Sequence, residues 1–556
     1  MALGAVLPLH TWGREAPPFQ PPPWPVKRIA TVAELNKAFD RAKPNQVFVL
    51  APGTYALSEV ILVRDTSNLV IMGGDPDPSK TVLRGPGWVG EHGGGPHFNL
   101  IGASGISFAN ITMEETRTYG IKVSAEGHLN DIHVYNCRFK NIGVRAIKGS
   151  GGSKALAKGG SIRWCKFSCD RIPPRDWLFD GNYITAIDMM ALDGWTISDN
   201  EFRDLKGASG EARAAIFLWV NCKRVTIERN LILNCDRGIG VGNPHITAED
   251  KAAGMWHAEE FEIRNNAIVT SVDAGIEISW ARDVRVSHNS ICRLKDAENG
   301  RGIRGVTGSR LEKVVLANNL VHGKLWDAPG LEQRTNLFGN CAGCFANPES
   351  GDLRLTPQAA AAVNKGQPLE EVKEDFDGNA RDPMPDLGAW EFGAKPAPSV
   401  AAPATGPSKP SELGKVAAAP QPAAPEPQAL PEAWKEKIRA RVIQALKDGA
   451  RPKAYLTLFG NKPESVRLAG ADAKGLKVEV QGNPMPWSWT QLKEPDWPAL
   501  ATAVLGENDG QGHLTLGVAL YCAGKSDEAE GHFAQAILRD AKIKREDVER
   551  IVKELR

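Results

Sequence analysis

The chain has 556 residues, more than one ordinary compact core needs and a natural length for an elongated solenoid with an appendage. Lys plus Arg number 67 and Asp plus Glu 66, so no global field selects nucleic acid or a membrane surface, and charge has to be read locally. No apolar run is long enough to span a bilayer.

In chain order, residues 1–29 form an extended proline-rich lead-in. Its first residues hold a weak apolar stretch without a basic n-region or a good cleavage site, so a signal peptide is not evident. TVAELNKAFDRAKPNQ follows, with Thr31 as N-cap and Val32, Leu35 and Phe39 at helical spacing, which predicts an amphipathic helix covering the open end of a solenoid. VFVLAPGTYALSEVILV supplies the first strands, with Gly53 in a turn.

From there two elements alternate. One is a β-branched run closed by Asn, at Asn110, Asn136, Asn200, Asn230, Asn266, Asn289 and Asn319, with Lys166 in the Asn place of one further copy, returning every ~20 to 36 residues. The other is a small residue followed by Ile: Gly120-Ile121, Ala146-Ile147, Ala186-Ile187, Ala215-Ile216, Gly238-Ile239, Gly275-Ile276 and Gly302-Ile303. Together they give three strands per coil, with Ile stacking on Ile between coils ~4.8 Å apart and buried Asn side chains bonding along the stack. The expected fold class is all-β, a single-stranded right-handed parallel β-helix, with a small mainly α domain at the C-terminus, in preference to a sandwich or propeller.

The β-helix is expected over 30–393, closed by DFDGNARDPMPDLGAWEF lying over the final coil with Trp390 and Phe392 as lid residues. Asp375, Asp377 and Asp386 read as turn formers rather than calcium ligands, since their spacing is not an EF-hand loop. Residues 394–430 are an Ala/Pro-rich linker unable to build a core. Residues 431–556 read as a helical module. Trp434, Ile438, Val442 and Leu446 mark a first helix, SVRLAG with LKVEV a small hairpin, and Leu516, Gly517, Tyr521, Gly524, Ala529, Phe533 and Ala536 resemble one tetratricopeptide helix pair. Such a module suits a protein partner or an anchor. The nine cysteines read mostly as apolar fillers; Cys341 and Cys344 leave open a local disulfide or half a metal site, and cysteine usage does not settle the compartment.

The opening helix, the A-P-G-T-Y turn and the coils that follow, over roughly 30 to 393, resemble the pectate-lyase-like superfamily, above all its chondroitinase-B-like and alginate-lyase-like β-helices. The resemblance implies a secreted, periplasmic or surface protein with a substrate groove on the sheet that carries the Gly/Ala-Ile strands. The Arg-His-Gly strand motif of that group is absent, the corresponding strands reading AIFLWV, GIGVGN and GIEISW, and its paired calcium-binding Glu residues have no full match. The groove therefore carries over and the mechanism does not.

With each Ile inward, the next residue points out, giving the column Lys122, Lys148, Asp188, Phe217, Gly240, Glu277 and Arg304. Its coil steps make a track of roughly 29 Å, several sugar rings long. Arg145, Arg237 and Arg301 recur in the turn before the strand, with Asp204, Asp236 and Asp273 nearby. Met190, Trp219 and Ser279 lie two residues further along the strands. Long excursions after Lys148, before Asp188 and after Gly240 would wall a pocket holding Arg175, Trp177, Tyr183 and His245 as well.

Aromatics beside charges suit an acidic polysaccharide. β-Elimination requires cations at the uronate carboxylate and a base at C5, which points to Lys148 between Lys122 and Arg145 as base. Arg145, Asp188 and Arg237 complete the catalytic set, Asp188 either orienting Lys148 or binding a Ca²⁺. Lys122, Arg175, Trp177, Tyr183, Trp219, His245, Glu277 and Arg304 are the expected substrate contacts. Three readings stay open: a lyase, a non-catalytic binding or surface protein, and a hydrolase or epimerase. For hydrolysis Asp188 and Glu277, three coils or ~14 Å apart, are too distant unless Asp176 or Asp180 supplies a partner. In the plainest alternative, Lys148 simply pairs with Asp188 across one coil.

Overall fold

The computed structural model describes residues 15–40, 42–88, 95–124, 129–152, 155–270, 272–295, 299–394, 404–405, 428–457, 464–480, 483–504, 509–523, 529, 532–533, 536, 540 and 542–555. Most of the Ala/Pro-rich linker lies outside them, as does Gly524. The chain divides into two compact units, Met1–Ser411 and Glu412–Arg556.

Among the described residues of the first unit, strands assemble into three parallel sheets of 13, 11 and 10 strands. The chain visits them in rotation. One coil runs through Leu192–Ser198 in the first sheet, Glu201–Arg203 in the second and Ala214–Trp219 in the third. Every neighbouring pair along these sheets is parallel, with register shifts at only a few points such as between Leu233 and Cys235, the pattern of a right-handed parallel β-helix.

The Gly/Ala-Ile element has a steric cause. Ile121, Ile147, Ile187, Ile216, Ile239, Ile276 and Ile303 pair in one unbroken column and are all buried. The residue before each Ile lies at the corner facing the second sheet. A Cβ at Gly275 would come within 2.5 Å of Ile291, and one at Gly302 within 2.2 Å of Val321. Only small residues fit there. Beneath that corner Phe139, Phe167 and Phe202 stack with centroids 4.9 and 4.8 Å apart and planes 5° from parallel.

The Asn element resolves into two positions. Asn200, Asn230, Asn266, Asn289 and Asn319 form a buried ladder that runs on to Asn336, with Nδ2 to Oδ1 distances of 2.8 to 3.0 Å. The residue before each of them takes a positive φ: Asp199, Arg229, Asn265, His288 and Asn318. Asn110 and Asn136 occupy that left-handed position instead, bonded to each other at 2.8 Å, and Ile111 and Cys137 fill the ladder slot above them. Lys166 is likewise not in the Asn place. Trp164 takes the positive φ, Cys165 holds the slot, and Lys166 begins the strand Lys166–Ser168. Asn satisfies both demands, tolerating left-handed backbone and offering a donor and an acceptor, which is why the two positions look alike in sequence.

The N-terminal helix Val32–Asp40 buries Leu35 and Ala38. Thr31 Oγ1 accepts from the Glu34 N–H at 3.2 Å while Glu34 accepts from the Thr31 N–H, a closed capping box. The C-terminal closure differs from the expected lid. Phe376, Leu387 and Trp390 pack with Leu231, Leu233, Ala267, Val269, Cys292 and Leu320 on the outer side of the second sheet, and Phe392 is exposed. The segment thus lies along the flank of several coils, because that flank is apolar. Asp375 accepts from the N–H groups of Asp377 and Asn379, and Asp386 from those of Asn364 and Phe392, as turn formers do. All nine cysteines are buried free thiols.

In the second unit the helix Glu432–Lys447 buries Ile438, Val442 and Leu446. The expected hairpin is the middle of a four-stranded antiparallel sheet, Lys453–Leu456, Glu464–Ala471, Gly475–Val480 and Asn483–Ser488. Helices Asp496–Ala503 and Gly510–Cys522 follow. A Cβ at Gly517 would meet the Phe533 ring at 2.7 Å, so the small residue does permit a close approach there.

Candidate functional site

The third sheet carries the charged column in the expected order. Lys122 pairs with Lys148, Lys148 with Asp188, Asp188 with Phe217, Phe217 with Gly240, Gly240 with Glu277 and Glu277 with Arg304. The column points away from the coil interior, yet its middle is buried: Asp188 is 0% exposed, Phe217 1% and Glu277 2%. Side chains from the preceding turns and from the loop after Cys169 fold over it.

Two ionic clusters result. In the first, Asp188 accepts from Arg145 Nε at 2.6 Å, Lys148 Nζ at 3.1 Å and Trp219 Nε1 at 3.0 Å. The Arg145 guanidinium lies 3.9 Å from the Tyr183 ring centroid and its Nη1 donates to Tyr119 Oη at 3.3 Å. Burial, with Arg145 alongside, holds the Lys148 amine below its ordinary range although Asp188 pulls it the other way. Burial and then the Asp188 charge push the Tyr183 phenol up, against the pull of Arg145, so it is not poised to lose its proton.

In the second cluster Arg237 bridges two carboxylates, reaching Asp273 through Nε at 2.9 Å and Glu277 through Nη1 at 3.0 Å. Arg301 Nη1 donates to Asp273 at 3.0 Å, and Arg304 Nη1 to Glu277 at 2.9 Å. Each of the three carboxylates is therefore shared by two cations. Among the described residues, Lys122 and Arg213 stand in or beside the column with no carboxylate at ion-pair distance.

The structure thus brings Arg145, Lys148, Asp188, Tyr183 and Trp219 together, and Arg237, Glu277 and Arg304 together. Trp177 lies apart, its ring 5.1 Å from that of Trp88 and 4.6 Å from the Arg117 guanidinium. Arg175 and His245 are exposed and touch neither cluster. Tyr119, Arg213, Asn243 and His257 belong to the neighbourhood and are not signalled by the repeat. Tyr119 aligns with Arg145, but Arg213 precedes the aligned position by one residue, and Asn243 and His257 flank an excursion of no fixed period. His257 Nδ1 accepts from the Asn243 N–H at 2.9 Å, its ring stands 6.3 Å from Trp219, and burial pushes it down to about 4.

Asp188 does not fit a calcium ion. Both its oxygens already accept from Arg145, Lys148 and Trp219, so a divalent cation would lie in contact with two like charges. No group of three or more His, Cys, Asp or Glu side chains suited to a metal occurs among the described residues.

A cavity of about 370 Å³ lies elsewhere, on the outer face of the first sheet between Asp283, Arg285, Lys313, Glu332, Arg334 and Glu371.

Residues 96–291 match the family model described as right handed beta helix region. No curated protein matches the chain. Among solved structures the chain is similar to an alginate lyase from Paenibacillus sp. str. FPU-7, at 14% identity over 57% of this chain and 99% of that one, with a TM-score of 0.33. Pectate lyase Pel9A is 13% identical over 64% of this chain and 90% of its own, TM-score 0.36. A mutant tailspike protein of E. coli bacteriophage HK620 in complex with a pentasaccharide is 14% identical over 57% of each chain, TM-score 0.36. None of these likenesses bears on what this chain acts on. No described helix is long and apolar enough to cross a membrane.

Proposed function

We propose that the first unit is a carbohydrate-active β-helix protein that holds an acidic polysaccharide along its third sheet and cleaves it by β-elimination. The observation that carries this reading is the excess of cations over carboxylates in a desolvated column, each carboxylate already serving two cations, with Tyr119, Tyr183, Phe217 and Trp219 beside them. An anionic polymer with flat sugar faces complements that surface.

In the elimination, Arg145, in the same cluster as Lys148, neutralises the uronate carboxylate, and Arg237, three coil steps along, meets the carboxylate of another sugar of the polymer. Lys148, whose amine burial holds below its ordinary range, takes the C5 proton after parting from Asp188. The electron pair moves into the carboxylate as an enolate, then forms the C4–C5 double bond as the C4–O bond breaks, and the departing alkoxide takes the proton from the Lys148 ammonium, which restores the amine. Hydrolysis fits less well, since Asp188 and Glu277 are three coil steps apart and both are engaged by two cations.

One observation favours the non-catalytic alternative: the Lys148 amine is held by Asp188 at 3.1 Å and must leave it to act as a base. We place the protein outside the cytoplasm, treat residues 394–430 as a tether, and give the second unit, with its tetratricopeptide-like helix pair, an anchoring or partner-binding role. The test is incubation of the whole chain with a panel of uronic-acid polysaccharides, with and without calcium, while following the ultraviolet absorbance of the new double bond. A rise that disappears in Lys148→Ala supports the lyase. Retention on an affinity gel without any rise supports the binding protein, and neither result with any polymer rejects the acidic-polysaccharide reading.

A further inference from the structure

Arg213 is the odd cation of the third sheet. It sits one residue before the strand Ala214–Trp219, with its guanidinium 4.8 Å from the Phe217 ring centroid and 5.9 Å from that of Tyr183. Its Nη2 donates to Asn243 Oδ1 at 3.1 Å. Its Nε is buried and has no partner.

Other arginines share an unpartnered buried Nε, but their charge is met. Arg163, Arg381 and Arg439 each have a carboxylate within 4.0 Å, and Arg293 donates to the main-chain carbonyls of Val272 and Asp273. Among the described residues no carboxylate pairs with Arg213. Asp188 is occupied by Arg145 and Lys148, and Glu277 by Arg237 and Arg304. Burial, with the Arg237 charge, acts against the protonated guanidinium, and Tyr183, Glu277 and Asp188 offset it only in part. A half-buried cation with an idle donor costs free energy unless something anionic completes it.

We propose that Arg213 anchors an anion subsite between the two clusters, taking one carboxylate or sulfate group of the bound polysaccharide through Nε while the Phe217 and Tyr183 rings flank the guanidinium. This rests on the acidic-polysaccharide reading and deepens it by assigning a residue that sets charge specificity. Asn243 is then a positioning residue. It holds the guanidinium through Nη2.

Two measurements test it on the full chain. The first is affinity for oligogalacturonate and alginate oligosaccharides and for the same sugars with their carboxyl groups reduced to alcohols. The wild type is expected to favour the acidic form, and Arg213→Gln to lose about tenfold of that preference; Arg213→Lys, which keeps charge but lacks Nε, should fall between. A Gln variant of unaltered acid preference overturns the subsite and leaves the wider reading standing. A wild type with no acid preference overturns both.

The second measurement needs no knowledge of the polymer. Inorganic sulfate, against chloride at equal ionic strength, should raise the thermal midpoint of the wild type more than that of Arg213→Gln. Equal shifts in the two proteins count against the subsite. The thermal midpoint without added anion shows that each variant is folded.

Discussion

Two charged faces of the β-helix behave in opposite ways. On the outer face of the first sheet, around the cavity, Arg285 meets Glu262, Lys313 meets Asp283 and Arg334 meets Glu332, with side chains 58%, 69% and 56% exposed on the basic partner. Charges there are matched nearly one to one and remain in water, where each pair contributes little. On the third sheet the Asp188 side chain is 0% exposed and that of Glu277 3%, and every carboxylate is divided between two cations. Charge removed from water and left unbalanced is costly. The two faces thus differ less in density of charge than in how far that charge is desolvated and unbalanced.

The contrast is broken most severely by Asp188→Ala. Arg145, Lys148 and Trp219 would lose their shared acceptor in a dry setting, and we expect a loss of about 3–5 kcal/mol in chemical denaturation. A loss below about 1 kcal/mol would show that water reaches the cluster freely and that its burial is overstated.

Next comes Lys148→Ala, for which turnover of a cleaved polymer should drop by more than about a hundredfold while affinity changes little. Equal losses in affinity and turnover would reassign Lys148 to binding. A smaller effect follows from His257. Its pKa lies at about 4 in the fold, below the ordinary 6.5, because it is buried. As pH falls the unfolded chain takes up the proton first, so stability declines from about pH 6.5 and levels off below about 4. His257→Gln should flatten that part of the stability profile, and an unchanged slope would mean that other groups produce it. Least of all, Lys313→Ala on the first sheet should alter stability by about 0–1 kcal/mol and leave polymer affinity as it was. A clear loss of affinity there would move the binding surface to the cavity.

How much of this was legible in the sequence depends on what sets each position. The Ile column and the charged column were readable residue by residue, because strand parity and a crowded corner admit few alternatives. The Asn ladder was readable only to within one residue in its early coils, because the same amino acid serves two neighbouring backbone needs. Parity told that Asp188 and Glu277 leave the coil interior, but not that they remain out of water. That depends on turn side chains closing over them, and their conformations carry no period. The same cause separates Tyr183, which lands on Arg145, from Trp177, Arg175 and His245, which do not. Arg213 escaped because it stands one step outside the aligned register.

The Asn slot has one more consequence. Asn230, Asn266, Asn289 and Asn319 each donate to a carbonyl of the coil before and to the Asn of the coil after, through the same atoms. A joint that is identical at every level is interchangeable. A coil removed or copied in this stretch leaves the same joint behind, so the track above it can shorten or lengthen in increments of ~4.8 Å without a new turn being invented. The stack is in that sense a ruler, whose graduations are amides.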